Sequence, residues 1–253
     1  MRVTVLGCGT SGGVPRIGGQ WGACDPAEPR NRRRRVSIAV EEGATRLLVD
    51  TSPDLREQCL SHGIDRLDGV LYTHDHADHT HGIDDLRAFA LQRGGPLPAY
   101  ADARTLAVLR RRFGYCFDGE LGYPPVVEGH EITGPFQVGE IPVQPFQQCH
   151  GPIDSLGFRF GPLAYSTDLK ALPEASFALL AGVEVWIVDA LRYEPHATHT
   201  HLALTLQWIE RVKPRRAILT HMTWEMDYQT LLRTLPAGVE PGYDGLTLDL
   251  PLA

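Results

Sequence analysis

Short apolar segments alternate along the chain with segments of helical periodicity. Runs rich in β-branched residues and bounded by Gly, Asp or Pro predict strands, at residues 3–6, 36–40, 46–49, 69–72, 143–146, 157–160, 185–188, 217–219 and 246–250. Apolar residues spaced three and four apart predict amphipathic helices, at residues 55–62, 105–113 and 202–212. Because the helices fall among the strands, the pattern predicts an α/β (α+β) fold with helices on the outer faces of sheets.

A single domain over residues 1–253 fits this pattern, because a chain of that length can bury one sizeable core. Glycine and proline gather at residues 9–29 and 94–98. Both segments are expected to be mobile rims of a functional site, with plain connecting loops as the alternative. Hydrophobic residues make up 43% of the chain and charged residues 22%, which disfavours a disordered protein.

Net charge and cysteine content indicate which partners the protein can bind and in which cellular compartment it is expected. The formal net charge of −7 repels a polyanion at long range and makes nucleic acid an unlikely partner. No apolar run approaches the length of a membrane span, and the N-terminus lacks the pattern of a signal peptide. The five cysteines form no C-x-x-C pair. We therefore expect a cytoplasmic protein that does not bind a membrane.

The stretch THDHADHTHG, residues 73–82, carries the strongest chemical signal. It follows a predicted strand, and the residues after it, up to Gln92, are predicted to be helical. In such a loop His74 and His76 can converge on one ion, while Asp78 and His79 can turn toward a second. Imidazole and carboxylate ligands suit both Zn²⁺ and Mn²⁺.

Further ligands are expected at the ends of other strands. His150 follows IPVQPFQQC, Asp168 follows the strand-like LAYST, and His221 follows AILT. Taken singly, each of these residues is more often a surface or hydrogen-bonded group than a ligand. Together with the histidine motif they complete two sites that share one carboxylate.

The order and spacing of these residues resemble the ligand motifs of the metallo-β-lactamase superfamily, and the resemblance covers nearly the whole chain. The resemblance implies a four-layer αββα sandwich and two divalent metal ions per chain. It implies one ion held by His74, His76 and His150, a second held by Asp78, His79 and His221, and a bridging Asp168. It also implies that Asp50, after the strand RLLV, supports the histidine loop from behind.

Other blocks of sequence resemble the phosphodiesterase branch of this superfamily. LGCGTSGGVPR and NRRRRVSIAV are typical of that branch, and WGACDP, LTHMTWEMD, PGYDGLTL and LVDTSPDLR are similar to blocks of the phosphoribosyl 1,2-cyclic phosphate phosphodiesterases, the PhnP-like family. Ribonuclease Z, the other candidate, carries a long arm that grips tRNA, and no segment here looks like it. Known PhnP-like members can hold a structural zinc. Here the loop offers only Cys24, and Trp224 stands where a histidine is needed, so no separate structural zinc is expected.

The resemblance implies hydrolysis of a phosphodiester by a metal-bound hydroxide. We assign catalytic roles to Asp78 and to His199, the latter protonating the leaving oxygen, with His196 and His201 as alternatives for that acid. His201 and Arg33 are expected to contact substrate. The run Arg32–Arg35 fits a solvated or salt-bridged edge equally well.

The sequence therefore predicts a metal-dependent phosphodiesterase that opens a small cyclic phosphate, such as phosphoribosyl 1,2-cyclic phosphate. A ribonuclease Z-like enzyme or a 2′,3′-cyclic nucleotide phosphodiesterase is the first alternative. An ester or lactone hydrolase and a non-catalytic metal-binding module are two others. A homodimer is the default expectation for the assembly.

Overall fold

The computed structural model describes residues 1–251, so the last two residues of the predicted domain lie outside it. Two seven-stranded sheets form the centre of the fold. The first sheet has the order β14-β1-β2-β3-β4-β5-β6, with β1 Arg2–Gly7, β2 Ser37–Glu42, β3 Thr45–Val49, β4 Gly69–Leu71, β5 Leu97–Ala101, β6 Val127–Glu131 and β14 Thr247–Asp249. The second has the order β13-β12-β11-β10-β9-β8-β7, with β7 Phe136–Val138, β8 Ile141–His150, β9 Ile153–Phe160, β10 Leu163–Ser166, β11 Val185–Asp189, β12 Arg216–Thr220 and β13 Val239–Pro241.

Successive residues of the central strands serve two different cores, because side chains alternate across a pleated sheet. In β3, Leu47 and Val49 join one buried cluster with Phe158 of the second sheet. Leu48, between them, joins another cluster on the outer face, together with Leu55. This alternation places one core between the two sheets and a second beneath the helices that cover the first sheet.

Residues 1–251 contain seven α-helices: α1 Leu55–His62, α2 Ala77–Thr80, α3 Arg87–Arg93, α4 Ala103–Asp118, α5 Glu174–Leu180, α6 Leu202–Val212 and α7 Tyr228–Thr234. Helices α1, α3 and α4 contribute Leu55, Phe89 and Leu109 to the outer core of the first sheet. Helices α6 and α7 bury Ile209 and Leu231 with the second sheet. The predicted four-layer αββα sandwich is confirmed. Among residues 1–251, no helix has the length and apolar character that crossing a membrane requires.

One local prediction was wrong, and another was confirmed only in part. Residues 94–98 were expected to form a loop, but Leu97 and Pro98 belong to β5. The segment up to Gln92 is helical as predicted, but it is divided into α2, which lies within the histidine motif, a 3₁₀ turn at Ile83–Leu86 and α3. At Gly82, between α2 and the turn, an added Cβ would lie 2.1 Å from the carbonyl oxygen of Ser52. The chain therefore bends there, pressed against a neighbouring loop that sequence periodicity does not reveal.

The parallel strands direct the functional loops to one edge of the sandwich. Strand β3 is parallel to β4 in the first sheet, and β10, β11 and β12 are mutually parallel in the second. Three residues just beyond the carboxyl ends of these strands adopt the left-handed conformation, Asp50 (φ 63°), Asp168 (φ 53°) and His221 (φ 56°). Non-glycine residues with such angles are uncommon and cluster at functional sites.

Candidate metal centre

Two overlapping groups of potential metal ligands lie at this edge. In each group the ligand atoms all lie within 4.8 Å of one another. The first group consists of His74, His76, His150 and Asp168, and the second of Asp78, His79, Asp168 and His221. The two groups contain all seven residues expected from the sequence to bind metal.

Asp168 joins the two groups because its two carboxylate oxygens face different histidines. Its Oδ2 lies 3.7 Å from His74 Nε2 and 3.6 Å from His150 Nε2. Its Oδ1 lies 3.1 Å from His79 Nε2 and 3.4 Å from His221 Nε2. A carboxylate in this arrangement can bridge two cations, one held by each pair of imidazoles.

The remaining donors complete each group. His76 turns its Nδ1 inward, 3.3 Å from His150 Nε2. Asp78 Oδ2 lies 3.5 Å from His79 Nε2 and 3.7 Å from His221 Nε2. Each group therefore combines imidazole nitrogen with carboxylate oxygen, the donor set that suits Zn²⁺ and Mn²⁺.

Asp50 fixes the orientation of two of these imidazoles. His79 donates through Nδ1 to Asp50 Oδ2 over 2.7 Å. Thr73 donates through its hydroxyl to the same oxygen over 2.8 Å and, since that is its only proton, accepts from His74 Nδ1 over 2.9 Å. Both imidazoles thus carry a proton on Nδ1 and direct Nε2 toward Asp168. Asp50 occupies the supporting position that the sequence predicted for it.

His150 is held in the same tautomer, since its Nδ1 donates to the carbonyl oxygen of Thr198 over 2.8 Å. The Nε2 atoms of His74, His79 and His221 are buried and have no hydrogen-bond partner within residues 1–251. Buried polar atoms are rarely left unsatisfied in native proteins. Three such nitrogens converging on one carboxylate therefore fit divalent metal ions as their partners.

The two groups differ in electrostatics. Burial lowers the pKa of His74 well below its ordinary value and that of His150 to about 4, so both are neutral ligands at pH 7. Burial also disfavours the charged form of His79 and His221, but the surrounding carboxylates, chiefly Asp168, outweigh it. They raise the pKa of His221 to about 9 and that of His79 well above its ordinary value. The second group therefore attracts positive charge strongly.

A histidine–aspartate pair stands beside the ligand groups. His199 donates through Nδ1 to Asp189 Oδ2 over 2.9 Å, and its Nε2 lies 3.8 Å from Asp168 Oδ2. The His199 ring stacks on that of His221, with centroids 4.8 Å apart and planes 11° from parallel. Asp189 is not among the site residues predicted from the sequence. It was detectable, because it ends the apolar strand VWIVD as Asp50 follows RLLV.

The structure separates the three histidines considered for the acid role. The ring centroid of His196 lies 5.3 Å from that of His199. His201 is the N-cap residue of α6, and its carbonyl oxygen accepts from Thr205 N over 3.0 Å. Of the three, His199 alone belongs to a third group of potential ligands, with Asp189 and His221, and it is oriented by the buried carboxylate of Asp189. A substrate contact of His201 stays a prediction.

Arg33 does not occupy the substrate-contacting position expected for it. Its side chain is 2% exposed. The guanidinium donates to the carbonyl oxygens of Thr223 over 3.2 Å and of Met226 over 2.6 Å, and Nη1 lies 3.9 Å from Cys24 Sγ. The guanidinium therefore connects the N-terminal loop to the segment after His221. The sequence does not reveal this role, because Arg33 lies within a run of arginines.

Comparisons with known proteins agree with this geometry. The Beta-lactamase superfamily domain matches residues 45–222. A crystal structure of a diphosphatase from the PhnP family is 37% identical, covers 99% of this chain and 98% of its own length, and has a TM-score of 0.92.

Two curated relatives extend the comparison. An octanoyltransferase of Porphyromonas gingivalis is 34% identical over 253 residues, which is 97% of this chain and 51% of the relative. A ribonuclease Z of Bradyrhizobium sp. (strain ORS 278) is 30% identical over 141 residues, or 52% of this chain and 46% of the relative. The chain thus spans about half the length of the curated relatives it matches.

Proposed function

The chain belongs to the metallo-β-lactamase superfamily of metal-dependent hydrolases, close to its PhnP family, and we propose that it is a phosphodiesterase acting on a small cyclic phosphate. Phosphoribosyl 1,2-cyclic phosphate is the proposed type of substrate. The observation that carries the proposal is the Asp189–His199 pair beside the two ligand groups. It supplies an oriented proton donor where the centre would bind a phosphoryl group.

Two divalent ions, Mn²⁺ or Zn²⁺, are the proposed cofactors. His74, His76 and His150 would hold one, and Asp78, His79 and His221 the other, with Asp168 between them. When bound, such ions supply Lewis-acid stabilisation of a phosphoryl oxygen and lower the pKa of a water molecule. The side chains are oriented to hold such ions, because Asp50 and Thr198 set the tautomers of His79 and His150.

His199 performs the proton transfer in this mechanism. Opening a cyclic phosphate breaks one P–O bond, and the departing oxygen gains a proton as it leaves. His199 gives that proton from Nε2, while Asp189 accepts from Nδ1 and stabilises the imidazolium beforehand. Stacking on His221 limits rotation of the ring and keeps Nε2 directed at the centre.

A diphosphate is a second candidate substrate, because the similar PhnP-family structure is that of a diphosphatase. Cleavage of a P–O–P linkage also requires a leaving oxygen stabilised on the side opposite the attack. The similarity to the octanoyltransferase does not support acyl transfer by this chain, because the chain spans only 51% of that protein. The cytoplasmic location and the homodimer stay predictions.

The test follows ³¹P NMR spectra of the protein reconstituted separately with Mn²⁺ and Zn²⁺. Phosphoribosyl 1,2-cyclic phosphate, a 2′,3′-cyclic nucleotide and a diphosphate are the substrates. Asp168→Asn is expected to abolish turnover. His130→Ala, on a half-exposed histidine of β6 that pairs with Glu128, is the matched control and is expected to retain it. If neither the Mn²⁺-loaded nor the Zn²⁺-loaded protein hydrolyses the sugar phosphate, the proposed substrate is rejected. Hydrolysis of the diphosphate alone would favour the second candidate.

A further inference from the structure

A second cavity lies between the N-terminal loop, the arginine run and α1. Its volume is ≈ 600 Å³, within the range of small-molecule sites. Gly12 and Gly13 line one side, Arg32 and Arg34 another, and His62, the last residue of α1, a third. None of the seven ligand residues, all within residues 1–251, lines it. The cavity is therefore distinct from the metal centre.

Two arginines of this cavity carry charge without an acidic partner. Within the described part of the chain, neither Arg32 nor Arg34 has a carboxylate oxygen within 4.0 Å of its guanidinium. Arg34 Nη2 donates to Ser61 Oγ over 2.9 Å, and Arg32 lies over the ring of Trp21, 5.1 Å from its centroid. Arg32 is exposed and Arg34 is half-buried. Both guanidinium ions have further N–H groups beyond these contacts, and Arg binds phosphate in bidentate fashion.

The two carboxylates that line the cavity do not neutralise this charge. Asp54 Oδ2 accepts from Arg35 N over 2.8 Å and pairs with Arg35 Nε at 3.2 Å. Asp244 accepts from Arg34 N over 2.7 Å and from Cys8 N over 3.2 Å. Burial raises the pKa of Asp244 to about 7, so it carries only part of a negative charge near neutral pH. The cavity keeps a net positive charge.

His62, a residue that lines the cavity, has a ring nitrogen without a partner in the described part of the chain. His62 Nε2 is buried and makes no hydrogen bond within residues 1–251. Burial and the nearby Arg34 lower the pKa of His62, which keeps the ring neutral at pH 7 and able to donate through Nε2. A buried nitrogen of this kind is normally satisfied by protein, water or ligand.

We propose that this cavity binds the phosphate group of a small phosphorylated molecule between Arg32, Arg34 and His62. The two guanidinium ions neutralise the dianion, and the His62 ring forms part of the wall beside it. Gly12 and Gly13 carry no side chain that would fill the opposite wall, and Gly13 adopts φ 62°, which favours glycine. This site rests on its own contacts and stands whether or not the proposed reaction is correct.

Isothermal titration with inorganic phosphate tests the proposal. In the metal-loaded full chain we expect phosphate to bind both at the metal centre and in the cavity. Asp168→Asn is expected to remove the first site and leave one equivalent bound. Adding Arg34→Gln to that variant is expected to weaken the remaining site at least tenfold, and Arg34→Lys to restore most of the affinity. Arg215→Gln, at a side chain that is 74% exposed, is the matched control and is expected to change nothing.

Arg32→Gln, an exposed position, provides a second variant in case Arg34→Gln does not fold. In the otherwise unmodified chain, both substitutions are expected to leave hydrolysis of a p-nitrophenyl phosphodiester within twofold of its original rate. Absence of phosphate binding by Asp168→Asn would overturn the proposal. So would unchanged affinity in both arginine variants. Because the readout is binding and not turnover, failure of the proposed function would leave this result intact.

Discussion

His79 donates through Nδ1 to Asp50 Oδ2 over 2.7 Å, and both side chains are completely buried. The bond crosses from the loop after β3 to the short helix α2 and sets which nitrogen of the imidazole faces Asp168. Thr73 links the same carboxylate to His74, because its hydroxyl donates to Asp50 Oδ2 and accepts from His74 Nδ1. One aspartate outside the ligand groups therefore orients a histidine in each of them.

Asp50→Asn is expected to lower metal affinity by roughly 10- to 100-fold while preserving the fold. Asparagine tolerates the left-handed backbone of this position, but its neutral amide accepts more weakly from His79. Titration against a chromophoric chelator measures the change. Asp65→Asn, at a side chain that is 80% exposed, should bind metal like the unmodified chain. Equal affinity in the two variants would refute an orienting role for Asp50.

Asp189→Asn should reduce turnover of an alkyl phosphodiester by about 10²-fold or more with metal content unchanged. The amide cannot stabilise the His199 imidazolium and favours the wrong tautomer. His199→Ala should act in the same direction.

The leaving group separates this acid role from a general structural defect. A p-nitrophenolate leaves without a proton, so both variants should lose much less activity on p-nitrophenyl phosphodiesters than on alkyl ones. Equal losses on both classes of ester, at full metal occupancy, would show that the pair does not act as the acid.

Arg33→Met is expected to lower the free energy of unfolding by about 2–4 kcal/mol, because carbonyl oxygens of Thr223 and Met226 lose their donors. Arg33→Lys should recover part of the loss, since one ammonium reaches fewer acceptors. Urea denaturation measures both. Arg56→Met, at a side chain that is 68% exposed, should stay within about 0.5 kcal/mol of the unmodified chain. A similarly small change for Arg33→Met would mean that its burial contributes no net stability.

Asp244 should make stability depend on pH. Its pKa in the folded chain, about 7, exceeds the ordinary value of 3.8, so protonation favours the fold. The contribution is complete below about pH 4 and is lost as pH rises through 7. Relative to the unmodified chain, Asp244→Asn should therefore gain roughly 2–3 kcal/mol between pH 5 and pH 8.

Urea midpoints at the two pH values, compared within each pH, provide the measurement for Asp244. The exposed Asp249→Asn serves as a control and should show no such difference. Parallel stability profiles for Asp244→Asn and the unmodified chain would contradict the prediction.

Local signals in the sequence predicted much of this architecture. The bounds of α1 and α6 agree with the predicted helices. In α6 a regular apolar stripe packs against a sheet, whereas α1 buries only Leu55, Gln58 and Cys59. The ligand residues follow apolar strands, so their convergence at one edge could also be anticipated. Strands β6 and β7 were missed because they are short and contain polar residues or glycine.

The remaining errors concern contacts between distant segments. Arg33 looked like its neighbours in the arginine run, and only the folded N-terminal loop shows that it is buried against Met226. The bend at Gly82 depends on Ser52, thirty positions earlier. The partnership of Asp189 with His199 depends on how the loop after β11 returns to the sheet edge. No local periodicity encodes these relationships.

The left-handed turns at Asp50, Asp168 and His221 have a consequence for how the centre is assembled. Each turn follows a buried strand, so the backbone directs these side chains inward. Little loop entropy then remains to be lost on metal uptake. We expect the metal-free protein to have the ligand side chains already in position. Exchanging one ion for another should then change the chemistry without changing the conformation of the polypeptide.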